Sequence, residues 1–147
     1  MRRSTKFLLA ATLAVAVSSC TTTPPPGEPA PGQAAFQGTV KPLLEHRCVH
    51  CHSNTKPIAG LNFQDREATL DPAKRFIVAG HPDDSRLYRA VTLEGAHPRV
   101  MPGDGWGITS DQKAAIKTWI SEGAPWPEGR AGRIKKRTYK VDMEDYL

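Results

Sequence analysis

Hydrophobic residues along this chain recur mainly at helical spacing. The first apolar stripe falls at i, i+4, i+7 and i+8 on one helical face, at Phe36, Val40, Leu43 and Leu44. Pro42 interrupts this stripe. The pattern therefore predicts either a second helical piece that starts at Pro42 with Thr39 as its cap, or one kinked helix.

A later stripe predicts the clearest helix of the chain, over residues 110–122. Its apolar face consists of Ala115, Ile116, Trp119 and Ile120. Thr109 and Gln112 have the spacing of a capping box, with Ser110 as an alternative cap, and Gly123 ends the helix. This stripe and the one on 36–47 are each too narrow to be buried alone, so we expect them to pack against each other.

The rest of the chain favours an all-α fold class. Short helices are predicted at 64–70 and 83–93, whereas 53–62 has no periodicity and is expected to be a loop. Few segments alternate between apolar and polar residues as strands do. Apolar residues are scarce for a self-sufficient core, which favours a small helical domain that is stabilised by a bound cofactor.

The residues with the clearest chemistry are Cys48-Val49-His50-Cys51-His52. Two cysteines three positions apart, followed at once by histidine, form the attachment signature of c-type haem. Each thiol can add to one vinyl group of the porphyrin, and the adjacent histidine can then bind the iron. The motif predicts one haem c, held covalently by Cys48 and Cys51 and coordinated by His52.

Two other uses of a Cys-x-x-Cys pair stay open at this point. A tetrahedral zinc site would need a second ligand pair, and the sequence has no second cysteine pair and no finger or ribbon pattern of histidines. A thiol–disulfide oxidoreductase would place the pair in a βαβ pattern, and no strand-rich segment precedes it. The alternative is therefore a haem-free lipoprotein that is stabilised by zinc or by a disulfide.

A haem that is bound by one histidine needs a second axial ligand or keeps an open position. Met101, in a Pro/Gly-rich loop before the last predicted helix, is the leading candidate, because a thioether is a soft ligand that raises the potential. His97 is the main alternative and His81 a further one, although both precede a proline and suit surface loops equally well. We expect His52 and Met101 to be the axial pair.

The N-terminal residues have the features of an export signal. Three basic residues among the first six precede a short apolar run over 7–17, and Cys20 follows two serines. Small residues directly before a cysteine resemble a lipoprotein cleavage site. We therefore expect a signal peptide over 1–19 and lipidation of Cys20, with an ordinary signal as the alternative. This predicts a periplasmic or extracytoplasmic lipoprotein that is anchored to a membrane.

Composition divides the remaining chain into three parts. Residues 20–33 are rich in proline and threonine and predict an extended tether, 34–127 the folded domain, and 128–147 a charged, flexible or loosely docked tail. The chain has 20 basic and 15 acidic residues, and three of the basic ones lie in the signal. The mature chain is therefore close to neutral. Because no base-reading or phosphate-binding motif is present either, nucleic acid is not expected as a partner.

The order and spacing of these motifs resemble the single-haem domain of the planctomycete-type cytochromes c, a class I-like family. The residues that carry the resemblance are Val40-Lys41-Pro42-Leu43-Leu44, Cys48 to His52, Gly60-Leu61, Pro82 to Leu87, Met101-Pro102 and Trp119 to Pro127. The resemblance covers nearly all of 36–127. It implies an all-α domain wrapped around one haem, with His52 and Met101 as the axial ligands.

Taken together, the motifs predict a one-electron carrier rather than an enzyme. Two axial ligands leave the iron no open position, so the expected partners are a redox protein donor and acceptor, besides the membrane that holds Cys20. A haem peroxidase or sensor is the enzyme-like alternative and would require Met101 to be displaceable. The single Cys-x-x-Cys-His motif argues against a di-haem peroxidase.

Overall fold

The computed structural model describes residues 29–95 and 97–137. The predicted signal peptide, Cys20, most of the predicted tether and residues 138–147 lie outside this part of the chain, as does Ala96. Within the described ranges the chain is mostly helical. None of the helices found there is long and apolar enough to cross a membrane.

Five helical segments and one small antiparallel sheet form the described part. Helix α1 runs without a break over residues 31–48. The elements that follow are β1 His52–Ser53, β2 Lys56–Pro57, α2 Arg66–Leu70, α3 Arg86–Thr92, α4 Ser110–Ser121 and α5 Gly129–Gly132, with 3₁₀ turns at Ile58–Gly60 and Pro82–Asp84. The expected helical architecture is thus present in its coarse form. The small sheet was not predicted, since most of it lies where a loop was expected.

Helix α1 alternates between two windings. It has α-helical turns at Pro31–Ala35 and Lys41–Leu43, and wider π-helical turns at Phe36–Val40 and Leu44–Cys48. In the wider turns a backbone N–H bonds to the carbonyl five residues back rather than four. The helix therefore continues without interruption to Cys48, the first residue of the Cys-x-x-Cys-His motif.

Pro42 lies inside this helix and does not start a new one. The N–H of Lys41 donates to the Phe36 carbonyl, five residues back, and Val40 keeps helical dihedrals (φ −65°, ψ −49°). The expectation of a second helical piece capped by Thr39 is wrong. Proline has no N–H to donate, and the wider π-helical turns on either side accommodate it without ending the helix.

Helix α4 has the ends that its sequence predicts. At its start the Thr109 hydroxyl accepts from the Gln112 N–H at 3.2 Å, while the Gln112 side chain accepts from the Thr109 N–H at 2.9 Å. At its end Gly123 has a positive φ of 89°, and the Ala124 N–H bonds to the Trp119 carbonyl at 2.9 Å. These are a capping box and a Schellman motif, so the cap is Thr109 and not Ser110.

The core forms where α1 packs against α4, as the two apolar stripes predict. The ring of Phe36 lies 5.5 Å from that of Trp119 and 5.3 Å from that of Trp126, centroid to centroid. Both indoles also donate hydrogen bonds, Trp119 to the Pro125 carbonyl at 3.0 Å and Trp126 to the Gly132 carbonyl at 2.7 Å. The cluster thereby joins α1, α4 and the segment after α4.

Packing extends past the predicted domain limits at the N-terminal side. Helix α1 begins at Pro31, inside the segment expected to be a tether, and Gly32 is buried against α4. A Cβ atom at Gly32 would lie 2.5 Å from the Cβ of Glu122. A glycine is therefore required at this close approach between the first turn of α1 and the end of α4.

Packing also extends past residue 127. Residues 133–137, which we call the C-terminal strap, lie against α1. The side chain of Glu45 on α1 is only 3% exposed, and it accepts hydrogen bonds from the Lys135 N–H at 3.1 Å and from Arg137 Nε at 2.6 Å. A buried carboxylate is costly unless it is paired in this way. Of the two predicted forms of the tail, flexible or loosely docked, residues 133–137 have the docked one.

Candidate haem site

A cavity of about 1050 Å³ lies between the end of α1, helix α3 and the loops that precede α4. Small-molecule and cofactor sites commonly enclose about 300 to 1,000 Å³, so this cavity is large enough for a sizeable cofactor. The predicted haem-binding and iron-binding residues all line it, namely Cys48, Cys51, His52, Met101 and the alternative ligand His97.

The two cysteines are positioned by the end of α1. Cys48 is its last residue, and the N–H of Cys51 donates to the Cys48 carbonyl at 3.1 Å, which closes a tight turn between them. Both thiols are free. Burial raises the pKa of Cys48 to about 12, so this thiol is protonated at neutral pH, whereas Cys51 is exposed. One thiol therefore lies in the wall of the cavity and the other at its rim.

His52 is held in a defined orientation. Its side chain is buried, and its Nδ1 lies 3.1 Å from the carbonyl oxygen of Ile58, to which an Nδ1–H can donate. That hydrogen bond leaves Nε2 as the nitrogen with a free lone pair, the arrangement usual for histidines that bind metals. The ring also meets Phe63 edge-on at 5.9 Å. His52 is thus oriented as a ligand before any metal is considered.

The charge state of His52 suits the same role. Burial lowers its pKa, although hydrogen bonds with the backbone of Ile58 and Leu61 oppose this shift. A lowered pKa keeps the imidazole neutral at physiological pH. Neutral imidazole is the form that binds a metal ion, because binding requires an unprotonated nitrogen.

The two candidates for the second ligand both lie on the segment after α3. Met101 is partly buried and packs against the core, and its N–H donates to the Ala90 carbonyl of α3 at 3.0 Å. His97 is exposed, and its Nδ1 accepts from the Arg99 N–H at 3.1 Å. Both side chains line the cavity. The remaining candidate, His81, is exposed and is not a lining residue.

A polar link that the sequence analysis missed joins the two ligand-bearing segments. Arg47, next to Cys48, donates from Nη2 to Asp104 Oδ2 at 3.0 Å and to the Trp106 carbonyl at 2.6 Å. Asp104 Oδ1 accepts in turn from the Trp106 N–H at 2.9 Å. The only available signal was the presence of opposite charges beside the cysteine motif and beside Met101. We call this group the Arg47–Asp104 clamp.

The clamp also affects the ionisation of its carboxylate. Partial burial tends to raise the pKa of Asp104, but hydrogen bonds from the Trp106 N–H and from Arg47, together with the Arg47 charge, outweigh it and hold the pKa below its usual range. Asp104 is therefore ionised at neutral pH and forms a true ion pair with Arg47.

Three further arginines line the cavity: Arg86, Arg89 and Arg99. Arg86 also lies over the ring of Phe76, with its guanidinium carbon 4.7 Å from the ring centroid. Among the described residues, none of the three forms an ion pair with a carboxylate. The site thus combines an excess of positive charge with apolar walls.

This combination fits haem well. A porphyrin is a large apolar ring that carries two carboxylates, and the apolar part of the cavity is formed by Leu43, Leu44, Leu61, Phe63, Phe76, Leu87, Val91, Ile108 and Ile116. The zinc alternative fits less well, since it would need four closely grouped ligands. In the described ranges no three His, Cys, Asp or Glu side chains are grouped closely enough to hold a metal ion.

The family comparison agrees with the motifs. Residues 48–105 match the family model described as Planctomycete cytochrome C, a span that begins at the first cysteine of the motif and extends past Met101. No curated protein matches the chain, and neither does any solved structure. The family implies a haem cofactor and a general electron-carrier role. The resemblance to the planctomycete-type cytochromes c is therefore confirmed over residues 48–105.

Proposed function

We propose that this protein is a one-electron carrier with one covalently attached c-type haem and the cytochrome c-like fold that its family suggests. Cys48 and Cys51 would hold the porphyrin through thioether bonds, and His52 and Met101 would be the axial ligands of the iron. The observation that carries the proposal is that one cavity of sufficient size is lined by all four residues.

The roles of the binding residues follow from their surroundings. Cys48 and Cys51 fix the edge of the ring, and His52 presents Nε2 because its Nδ1 is engaged by the Ile58 carbonyl. Arg86, Arg89 and Arg99 are candidates to bind the two propionates, since guanidinium groups form bidentate hydrogen bonds with carboxylates. The apolar walls exclude water from the rest of the ring.

This arrangement suits electron transfer better than catalysis. When bound, the haem iron supplies the chemistry by changing between its ferrous and ferric states. His52 and Met101 would both bind the iron and would leave it no open position for a substrate. Met101 stabilises the reduced state because a thioether is a soft ligand, and burial among apolar side chains acts in the same direction.

The cellular setting of the proposal rests on the sequence alone. A lipidated Cys20 anchors the protein to a membrane on the extracytoplasmic side, and the Pro/Thr-rich segment gives it reach toward a redox protein donor and acceptor. A fractionation experiment tests this part. We expect Cys20→Ser to release the protein from membranes or to block its processing, and an unchanged membrane fraction would contradict the lipid anchor.

The decisive experiment examines how the pigment is held. The protein is expressed with a haem-attachment system, extracted with acid–acetone and weighed intact by mass spectrometry. We expect the pigment to stay with the protein, the mass to increase by one haem, and the pyridine haemochrome to have the α-band of thioether-linked haem. Cys48→Ala and Cys51→Ala each remove one thioether. Pigment that is fully extracted from the wild-type protein would overturn the proposal.

A further inference from the structure

We infer that Arg47 is a positioning residue for the second iron ligand. It acts through the Arg47–Asp104 clamp, which holds the loop that carries Met101 against the end of α1. This inference rests on the proposed function, because it concerns the ligation of iron by Met101. It adds a residue that lies outside the family-matched span, which begins at Cys48.

Arg47 contacts two residues of the loop that follows Met101. Its guanidinium donates to the Asp104 carboxylate at 3.0 Å and to the Trp106 backbone carbonyl at 2.6 Å, so it binds both a side chain and the main chain of this loop. Asp104 is itself fixed to the Trp106 N–H at 2.9 Å. Trp106 is therefore held at both its N–H and its carbonyl.

The loop that carries Met101 is bound to the rest of the domain on both sides of the methionine. On its N-terminal side the loop is bound to α3 by the hydrogen bond from the Met101 N–H to the Ala90 carbonyl at 3.0 Å. On its C-terminal side the clamp binds it to α1 through Arg47. The methionine thus lies between two anchors, one on α3 and one on α1.

Arg47 lies directly beside the cysteine motif, so the clamp connects that motif with the Met101 loop. It is in the last turn of α1 and directly precedes Cys48, while Gly103 and Asp104 lie beside Met101 in the cavity wall. The clamp therefore connects the haem-attachment motif with the loop of the other ligand. A contact of this kind sets the distance between the two segments that must bind one iron from two directions.

Loss of the clamp should weaken Met101 as a ligand more than it weakens the fold. The side chains of Arg47 and Asp104 are 30% and 50% exposed, so little core packing is lost when they are shortened. Hydrogen bonds to charged groups are stronger than neutral ones, and their loss changes a local equilibrium by about tenfold or more. We therefore expect loss of the clamp to shift the equilibrium between iron-bound and dissociated Met101 toward dissociation by about tenfold.

The test uses the full haem-loaded protein in its ferric state. The variants are Arg47→Ala, Asp104→Ala and Arg47→Lys, and the matched control is Asp84→Ala, which removes an exposed Arg75–Asp84 pair of the same 3.0 Å length away from the cavity. Two quantities are measured: the rate of cyanide binding, which requires Met101 to dissociate, and the sulfur-to-iron band in the far red. Global unfolding by denaturant is followed in parallel.

We expect cyanide to bind about tenfold faster in Arg47→Ala and Asp104→Ala, with Arg47→Lys in between and Asp84→Ala unchanged. Asp104→Ala leaves Arg47, the neighbour of Cys48, in place, so it gives the answer even if Arg47→Ala impairs haem attachment. A normal band in the wild type together with unchanged cyanide rates in both alanine variants would overturn the inference alone. A wild-type protein without the band would overturn Met101 ligation itself, and the inference with it.

Discussion

The two sides of the proposed haem site are built in different ways. The His52 side is local, since Ile58, whose carbonyl orients the imidazole, is six positions away, and Cys48 and Cys51 belong to the same short motif. The Met101 side depends on residues that are distant in sequence, because Arg47 reaches Asp104 and Trp106 across 57 and 59 positions. The first side follows from one short motif, whereas the second exists only when the fold is complete.

This difference predicts that the His52 side is more stable to local opening than the Met101 side. A site wall that is made by one helix end and one short turn forms as soon as that segment folds. A loop that is positioned by distant contacts has fewer attachments and opens at a lower free-energy cost. Perturbations of the His52 side should therefore affect haem binding itself, while perturbations of the Met101 side should affect only ligation.

The strongest expected effect comes from removing the imidazole. We expect His52→Ala to abolish the spectrum of six-coordinate haem and most of the haem-loaded protein, because no other described side chain replaces the ligand that the motif places next to Cys51. The matched control is His50→Ala, in the same motif. Its Nε2 lies 3.0 Å from the Arg137 carbonyl, and His50 is not among the residues that line the cavity. A wild-type visible spectrum in His52→Ala would refute the assignment.

Removal of the methionine should have a smaller effect. We expect Met101→Ala to keep the haem but to lose the far-red band, to bind carbon monoxide and cyanide quickly, and to have a lower reduction potential. His97→Ala should leave all three properties unchanged. If His97→Ala rather than Met101→Ala opens the sixth position, the histidine alternative is correct and the two sides of the site are both imidazoles.

The C-terminal strap tests whether the His52 side also needs distant support. Arg137→Ala leaves the buried Glu45 carboxylate with the Lys135 N–H as its remaining strap contact. We expect this variant to lose about 1.5–3 kcal/mol in the free energy of unfolding, measured by denaturant titration, with the visible spectrum unchanged. Glu94→Gln, at an exposed loop position, serves as the control. A change in the far-red band without a loss of stability would mean that the strap acts on ligation instead.

The smallest effect concerns pH and the Met101 side. The pKa of Asp104 is held below its usual range, so its ion pair with Arg47 is fully present above the unfolded pKa and is lost as pH falls through the folded one. In Asp104→Asn the pair is absent at every pH. The ratio of the cyanide-binding rates of this variant and the wild type, measured at the same pH, should therefore be constant above about pH 5 and approach one in stronger acid. A ratio that grows on acidification would contradict the clamp.

The features that the sequence predicts correctly depend on residues that are close together in the chain. The capping box of Thr109 and Gln112 and the stop at Gly123 each involve residues within a few positions, and the structure has them as expected. The packing of α1 on α4 also follows, because each apolar stripe needs a partner. The Cys-x-x-Cys-His motif, from which haem attachment is predicted, is equally local, since it is complete within five residues.

What the sequence left out depends on the folded chain. The burial of Glu45 could not be anticipated, because its partners lie 90 and 92 positions away and look like part of a solvated basic run. The clamp was missed for the same reason. The prediction at Pro42 failed for a different reason. Proline usually ends a helix, but here the π-helical turns before and after it allow α1 to continue.

Trp106 is a natural fluorescent probe for the loop that follows Met101. Its indole is 77% exposed, whereas Trp119 and Trp126 are 0% and 4% exposed in the core. A dissolved collisional quencher such as iodide therefore reaches the first indole and not the other two. The part of the tryptophan emission that iodide quenches therefore reports on the loop after Met101, and the unquenched part reports on the core.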